Sequence, residues 1–210
     1  GAYGFDFDSG KLTNSLFFMD RDGSLVTPHY SKTILLAFGE YLPGEEWFPA
    51  IRAWLPPIGQ FARGQGPTRL IEWNGHQIGV QICYESLFPD FTRQWADLGA
   101  QYLVNVTNDS WYGTWQEPQQ HLMMTLGRAV EVRRPVIRTT NTGISTVGLA
   151  SGQVMTESPL HEAWTGVFEI PYLKHPQPTL YQETYWLIPF LLWAGLAQLT
   201  WAGWRSHKKV

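Results

Sequence analysis

The feature that most constrains this chain is a run near its C-terminus without one charged side chain. It extends from Thr184 to Trp204 and reads TYWLIPFLLWAGLAQLTWAGW. At about 1.5 Å per helical residue, such a run spans about 30 Å, the thickness of the hydrocarbon core of a membrane. Tryptophans lie near both ends, where indole rings favour the membrane interface. We therefore predict one C-terminal transmembrane helix over residues 184–204; a buried amphipathic helix, which Pro189 and Gln198 favour, is the alternative.

The residues after this run set the predicted orientation. Arg205, Lys208 and Lys209 are basic, and basic residues concentrate on the cytoplasmic side of a membrane. We therefore expect residues 205–210 to form a cytoplasmic tail. Residues 1–180 would then form a catalytic domain on the opposite, periplasmic side.

Composition excludes several classes of function. The 210 residues carry a formal net charge of −3, which gives no basic surface for nucleic acid. The single cysteine cannot form an internal disulfide, and the six histidines lack the spacings typical of metal ligands. We expect no metal and no cofactor.

Hydrophobic periodicity predicts strands that alternate with helices. Asn74-Gly75 is a turn pair between two apolar runs, which indicates a hairpin. Residues 43–67 are rich in proline and glycine and form a long loop with at most one helical turn. The predicted strands are 15–19, 25–27, 32–38, 68–73, 76–83, 101–106, 135–140, 144–149 and 166–171, and the predicted helices are 89–98 and 115–133. This alternation, partly in hairpins, predicts a layered α/β domain.

The only thiol lies in the stretch QICYESLFPD, at the end of a predicted strand. A turn that leads from a strand into a helix points Cys83 at the helix N-terminus, where the partial positive charge favours a thiolate. A buried structural cysteine is the alternative. Tyr84 and Glu85 follow at once, and an apolar structural role does not explain an acid there.

A thiolate nucleophile needs a cation to hold developing charge and a base to move protons. The stretch HYSKTILLAFGEYLP supplies Lys32 at one end of a predicted strand and Glu40 just past the other. Taken singly, each could be a solvated surface charge. Together with Cys83 and Glu85 they suggest a catalytic group.

Four segments in this order resemble one known family. They are YSKTILLAFGEYLP, ICYESLFPD, LVNVTNDSWYG and QQHLMMTLGRAVEVRRPVIRTTNTGIS. The segments are similar to the C-terminal part of the nitrilase (carbon–nitrogen hydrolase) superfamily, and within it to the apolipoprotein N-acyltransferases. Ala37 departs from the pattern, which has proline before FGEY.

The resemblance implies an α/β fold, a nitrilase-like αββα sandwich that is N-terminally truncated here and followed by the membrane helix. It also implies a Glu–Lys–Cys triad. By motif, Cys83 is the nucleophile, Lys32 is the triad lysine, and Glu40 and Glu85 are supporting acids that orient the lysine and the thiol. Trp111 and Tyr112, in NDSWYG, would flank the acyl chain, or would simply pack against the sheet.

The general-base glutamate of the family lies well upstream of the lysine. No glutamate precedes Glu40 in this chain. We therefore expect the chain to be the last portion of a longer enzyme and to be inactive alone.

For the whole enzyme, the resemblance implies ping-pong acyl transfer in the bacterial inner membrane. The acyl donor would be a phospholipid such as phosphatidylethanolamine, and the acceptor the amine of diacylglyceryl-cysteine at the N-terminus of an apolipoprotein. Two alternatives stay open: a membrane-anchored amidase of the nitrilase type, and a non-catalytic remnant that binds lipid or lipoprotein.

Overall fold

The structure is a computed structural model that describes residues 2–55, 58–111, 113 and 115–207. Its strands are β1 Ala2–Asp6, β2 Lys11–Leu16, β3 Tyr30–Ser31, β4 Ile71–Trp73, β5 His76–Ile82, β6 Tyr102–Thr107, β7 Val136–Thr140 and β8 Thr146–Gly148. Its α-helices are α1 Pro89–Asp97, α2 Glu117–Val132, α3 Leu180–Thr184 and α4 Leu187–His207. Short 3₁₀ helices cover Pro49–Trp54 and Cys83–Leu87. The predicted α/β class is confirmed.

The larger sheet has five strands in the order β4-β5-β6-β7-β8. β5, β6 and β7 are parallel, while the outer strands pair antiparallel with their neighbours. The predicted hairpin at Asn74-Gly75 is present, and both residues have positive φ, at 50° and 75°. Parallel neighbours need long crossovers, and α1 and α2 supply them. The carboxyl ends of β5, β6 and β7 therefore meet at one edge.

A smaller antiparallel sheet of β1, β2 and β3 packs against the larger one through β2 and β5. The hydrophobic core consists of aliphatic and aromatic side chains. It includes Val80, Leu103 and Val136, each fully buried. α1 packs on β5, where the side chain of Gln81 donates a hydrogen bond of 2.6 Å to Thr92 Oγ1.

The strand predicted over residues 32–38 is wrong, because β3 ends at Ser31. Two carboxylates bind the backbone N–H groups that a strand would use in its ladder. Thr33 and Ile34 donate to Glu85 Oε1 at 2.6 and 3.0 Å, and Leu36 donates to Glu40 Oε2 at 2.8 Å. The apolar letters of this stretch indicated a strand, but side chains from elsewhere hold it as a loop.

The strand predicted over residues 166–171 is also wrong, since the structure assigns no strand there. The free edge of β8 is occupied by residues much closer in sequence. Met155 donates its backbone N–H to Val147 O at 2.9 Å, and Gly148 forms a bridge with Val154. Of the strands predicted over 15–19 and 25–27, β2 contains residues 15 and 16, and an isolated bridge joins Met19 to Leu25.

The charge-free run forms most of α4, whose apolar side chains are largely exposed; Leu192 and Trp193 are 69% and 71% exposed. Among the residues described, no helix has both the length and the apolar character needed to cross a membrane. The predicted membrane helix and its orientation therefore stay predictions. Lys208 and Lys209 of the predicted tail lie outside the described residues.

Candidate active site

Cys83 lies where β5 ends and a 3₁₀ helix begins. Its φ is 56°, a left-handed conformation that is uncommon for a residue with a side chain. The carbonyl of Cys83 accepts hydrogen bonds from Asn105 Nδ2 at 3.0 Å and from Ser86 Oγ at 3.3 Å. Cys83 is partly exposed. This sharp turn separates the Cys83 side chain from the alternation of the strand.

Lys32 and Glu40 form the second part of the site. Lys32 is 2% exposed, and its Nζ lies 2.8 Å from Glu40 Oε2. Glu40 also accepts hydrogen bonds from the backbone of Leu36 and from Asn14 Nδ2, at 2.8 and 2.9 Å. A buried ion pair held by further hydrogen bonds keeps its geometry. The predicted supporting acid Glu40 therefore fixes the position of the lysine ammonium.

Glu85 is fully buried and accepts four hydrogen bonds. Its donors are Tyr30 Oη and the backbone N–H groups of Ile82, Thr33 and Ile34. Burial raises the pKa of Glu85, and the backbone donors act against this rise. Glu85 thus ties the segment just after Lys32 to the end of the strand that carries Cys83.

One cavity of about 550 Å³ brings the predicted site residues together. Lys32, Glu40, Cys83 and Trp111 all line it, along with Phe61 and other residues of both sheets. Trp111 is 79% exposed at this cavity. Glu85 lies behind the cavity rather than in its lining, and Tyr112 lies outside the described residues.

Sequence reasoning missed a buried polar cluster beneath Cys83, composed of Asn105, Asp109, His121 and Arg138. Arg138 donates to Asn105 Oδ1 at 2.8 Å and to Asp109 Oδ2 at 2.7 Å. His121 Nδ1 lies 3.1 Å from Asp109 Oδ1. Asn105 and Arg138, two polar residues inside predicted strands, were the signal that could have revealed part of this cluster.

Charge in this cluster is balanced by close pairing. Burial opposes ionisation of Asp109, but His121 and Arg138 outweigh it and lower the pKa of this carboxyl. The pKa of Glu117, at the start of α2, shifts in the opposite direction. Burial and then the charge of Asp109 raise the pKa of Glu117 to about 7, against a smaller effect of Arg138.

This arrangement suits a covalent mechanism at a carbonyl group. A thiolate at Cys83 can attack, and the ammonium of Lys32 in the same cavity can stabilise the negative oxygen that forms. In the described parts of the chain, no group of three or more His, Cys, Asp or Glu side chains is placed to hold a metal ion.

Comparison with known proteins identifies the class. Residues 1–166 match the family model described as carbon–nitrogen hydrolase. The match covers both sheets and every described residue of the cavity, so the chain belongs to the carbon–nitrogen hydrolase family.

Within this family the chain is similar to apolipoprotein N-acyltransferases. It is 53% identical over 174 residues to the apolipoprotein N-acyltransferase of Bdellovibrio bacteriovorus, over 81% of this chain and 32% of that relative. The chain spans about a third of the length of the curated relatives that it matches.

Solved structures show the same fold at lower identity. A carbon–nitrogen hydrolase from Helicobacter pylori superposes with a TM-score of 0.57 at 19% identity, over 77% of this chain and 57% of that one. An amidase from Nesterenkonia sp. AN1 superposes with a TM-score of 0.51 at 23% identity, over 72% and 54% of the two chains. These structures support the nitrilase-like α/β architecture.

Proposed function

We propose that this chain carries the nucleophile and the oxyanion-stabilising lysine of an apolipoprotein N-acyltransferase. The full enzyme would move a fatty acyl chain from a phospholipid to the N-terminal amine of diacylglyceryl-cysteine in an apolipoprotein. The observation that carries the proposal is the convergence of Cys83, Lys32 and Glu40 on one cavity, in a chain similar to enzymes of that name.

In the first half-reaction, the Cys83 thiolate attacks the acyl ester carbonyl of the phospholipid. The carbonyl oxygen becomes negative, and the Lys32 ammonium, held by Glu40 at 2.8 Å, stabilises it. The ester C–O bond then breaks, and the lysophospholipid leaves with the proton that the thiol gave up. A thioester remains on Cys83.

In the second half-reaction, the free amine of diacylglyceryl-cysteine attacks the thioester carbonyl. Lys32 stabilises the negative oxygen again, and the C–S bond breaks. The proton that the nitrogen loses returns to the Cys83 sulfur, which restores the thiol. The products are an amide on the apolipoprotein and the free enzyme. Transfer and hydrolysis differ only in whether an amine or water attacks the thioester.

Both substrates carry acyl chains, and exposed aromatic side chains are available to contact them. Trp47 and Trp54, in the loop over residues 43–67, are 89% and 75% exposed, and Trp111 lines the cavity itself. We include in the proposal a location at the bacterial inner membrane, with the catalytic domain periplasmic and the C-terminus cytoplasmic. Its support is the exposed apolar surface of α4.

The test uses the full-length protein that contains this chain, in detergent, with phosphatidylethanolamine labelled in its acyl chain. We expect a hydroxylamine-sensitive label on the protein that Cys83→Ala abolishes. Addition of a diacylglyceryl-cysteine peptide should move the label to the peptide amine. Label released only as free fatty acid would indicate a hydrolase instead, and labelling of Cys83→Ala would remove Cys83 from its role.

The location is tested separately. Phosphatase and fluorescent-protein fusions after Val210 report the side of the membrane on which the C-terminus lies. We expect fluorescence without phosphatase activity. Strong phosphatase activity would reverse the proposed orientation.

A further inference from the structure

Cys83 holds a backbone conformation that needs support from its surroundings. A positive φ of 56° costs free energy for a residue with a Cβ, and such strain persists only where contacts over-determine it. The direction of the Cys83 side chain depends on this conformation. The contacts of its backbone therefore bear on where the thiol points.

One of those contacts leads to Asn105 on the neighbouring strand β6. Its Nδ2 donates to Cys83 O at 3.0 Å and to Gln81 O at 3.3 Å, so one side-chain amide binds the backbone carbonyls on both sides of Ile82. Asn105 is fully buried. An amide in this position must have its oxygen oriented away from Cys83, which requires a donor on the other side.

Arg138, on β7, is that donor. Its Nη1 donates to Asn105 Oδ1 at 2.8 Å, which fixes the amide with its NH₂ toward Cys83. Its Nη2 donates to Asp109 Oδ2 at 2.7 Å, and Arg138 is 1% exposed. A planar guanidinium can hold both partners at once, which the ammonium of lysine cannot do with the same geometry.

Asp109, the second partner of Arg138, is also packed closely against the chain at Gly143. A Cβ at Gly143 would lie 2.0 Å from Asp109 Oδ2, so the chain approaches the carboxylate too closely for any side chain. The charge of a Cys83 thiolate is among those that act on Arg138, against the fall in its pKa that burial causes. The guanidinium reaches the Cys83 backbone through Asn105 and does not line the cavity.

The geometry points to Arg138 as a positioning residue: through Asn105 it holds the strained backbone at Cys83 and so directs the thiol into the cavity. The inference deepens the proposed function, and rests on it only in taking Cys83 as the reacting group. Arg138 touches neither the substrates nor the reacting atoms.

The experiment measures the second-order rate constant for alkylation of Cys83 by iodoacetamide, followed by intact mass. Cys83 is the only cysteine in this sequence. The variants are Arg138→Lys, Asn105→Ala and the double variant, made in the full-length protein after removal of any cysteine outside this chain. Arg138→Lys and Asn105→Ala both keep a positive charge at position 138, so a loss of charge cannot explain a lower rate constant in either variant.

The matched control is Arg134→Lys. Arg134 is also 1% exposed and lies four residues earlier, but it donates to the carbonyls of Ala100 and Val132. Thermal unfolding of each variant is measured in parallel. Arg134→Lys shows what a loss of stability does by itself. We expect this variant to have a lower unfolding temperature and an unchanged alkylation rate at Cys83.

We expect Arg138→Lys and Asn105→Ala each to lower the rate constant about tenfold, equivalent to about 1.4 kcal/mol. Because one residue acts through the other, the double variant should also be about tenfold slower, not about a hundredfold. Wild-type rates in either single variant, multiplicative effects in the double variant, or an equal loss in Arg134→Lys would each overturn the inference.

If Arg138→Lys does not fold, Asn105→Asp decides the question, since aspartate can still accept from Arg138 but cannot donate to Cys83. An unchanged rate in that variant would overturn the inference. The two proposals fail separately. Iodoacetamide alkylation needs no lipid substrate. The expected alkylation rates without acyl transfer would refute the proposed function and support the positioning role of Arg138. Acyl transfer with unchanged alkylation rates in the variants would support the function and refute the positioning role.

Discussion

Replacing Glu85 with glutamine tests the structural basis of the site. Each carboxylate oxygen of Glu85 accepts two hydrogen bonds, Oε1 from Thr33 and Ile34 and Oε2 from Ile82 and Tyr30. A glutamine NH₂ group cannot accept. Whichever way the amide lies, at least one backbone N–H in a fully buried site loses its acceptor.

The magnitude follows from these contacts. With the amide nitrogen at the Oε2 position, Tyr30 Oη can rotate to accept, so only Ile82 N is orphaned; at the Oε1 position, two N–H groups are orphaned. A buried donor without a partner costs about 1–3 kcal/mol. Removing a charge whose burial raises the pKa of Glu85 offsets part of that cost. We expect a net loss of about 2 kcal/mol in the free energy of unfolding.

This expectation holds for either protonation state. A protonated Glu85 can donate to Tyr30 Oη and still accept from Ile82 with the same oxygen, which an amide NH₂ cannot do. The assay is urea and thermal unfolding at pH 7, followed by tryptophan fluorescence. A loss of about 2 kcal/mol corresponds to a fall of about 4–8 °C in Tm for a chain of this size.

Glu72→Gln is the matched control, because Glu72 is exposed on β4. Surface substitutions of this kind change stability by about 0.5 kcal/mol or less. Equal stability of Glu85→Gln and Glu72→Gln would refute the view that Glu85 is held as a hydrogen-bond acceptor. A normal loss of stability with full acyl-enzyme formation would show that Glu85 does not help to place Lys32.

Three further predictions concern the site and the cluster beneath it. Lys32→Met should stay folded, because methionine fills a similar volume, but should form no acyl-enzyme in the labelling assay; normal yield would contradict the oxyanion role. Glu117 has a folded pKa of about 7 against an ordinary 4.5, so its contribution to stability is present below pH 4.5 and is lost as the pH rises through 7. Glu117→Gln should therefore raise the free energy of unfolding by about 1 kcal/mol at pH 8, a figure reduced for partial solvent exposure, and by nothing at pH 4; a gain independent of pH would exclude this cause. Gly143→Ala should lower stability by about 1–3 kcal/mol, because its Cβ would meet Asp109 Oδ2 at 2.0 Å, whereas a Cβ at Gly127 meets nothing within 4 Å, so Gly127→Ala should not destabilise.

Much of the larger sheet could be predicted from the sequence because its signals are local. Asn74-Gly75 adopts positive φ at low cost and sets the hairpin of β4 and β5. α1 and α2 lie where periodicity indicated helices. Cys83 could be predicted as a nucleophile in the same way, since a lone thiol at a strand end followed by an acid is visible in a few adjacent residues.

Residues 32–38 show where local signals fail. Their apolar letters indicate a strand, but Glu85, distant in sequence, binds the N–H groups of Thr33 and Ile34. Hydrogen bonds from these backbone N–H groups to a side chain replace the strand ladder there. Nothing within the segment indicates that competitor, so only the tertiary structure could remove the strand and leave Lys32 facing the cavity.

The contacts within the cluster beneath Cys83 also depend on tertiary structure. Asn105 lies on β6 and Arg138 on β7, and they meet because the parallel register pairs them directly. In the sequence, Arg138 stands between Ile137 and a run of polar residues, which a surface position would equally explain. The sequence by itself determined the kinds of chemical groups and the elements that carry them. The pairing of strands decided which of these groups touch, because that depends on contacts between residues far apart in the chain.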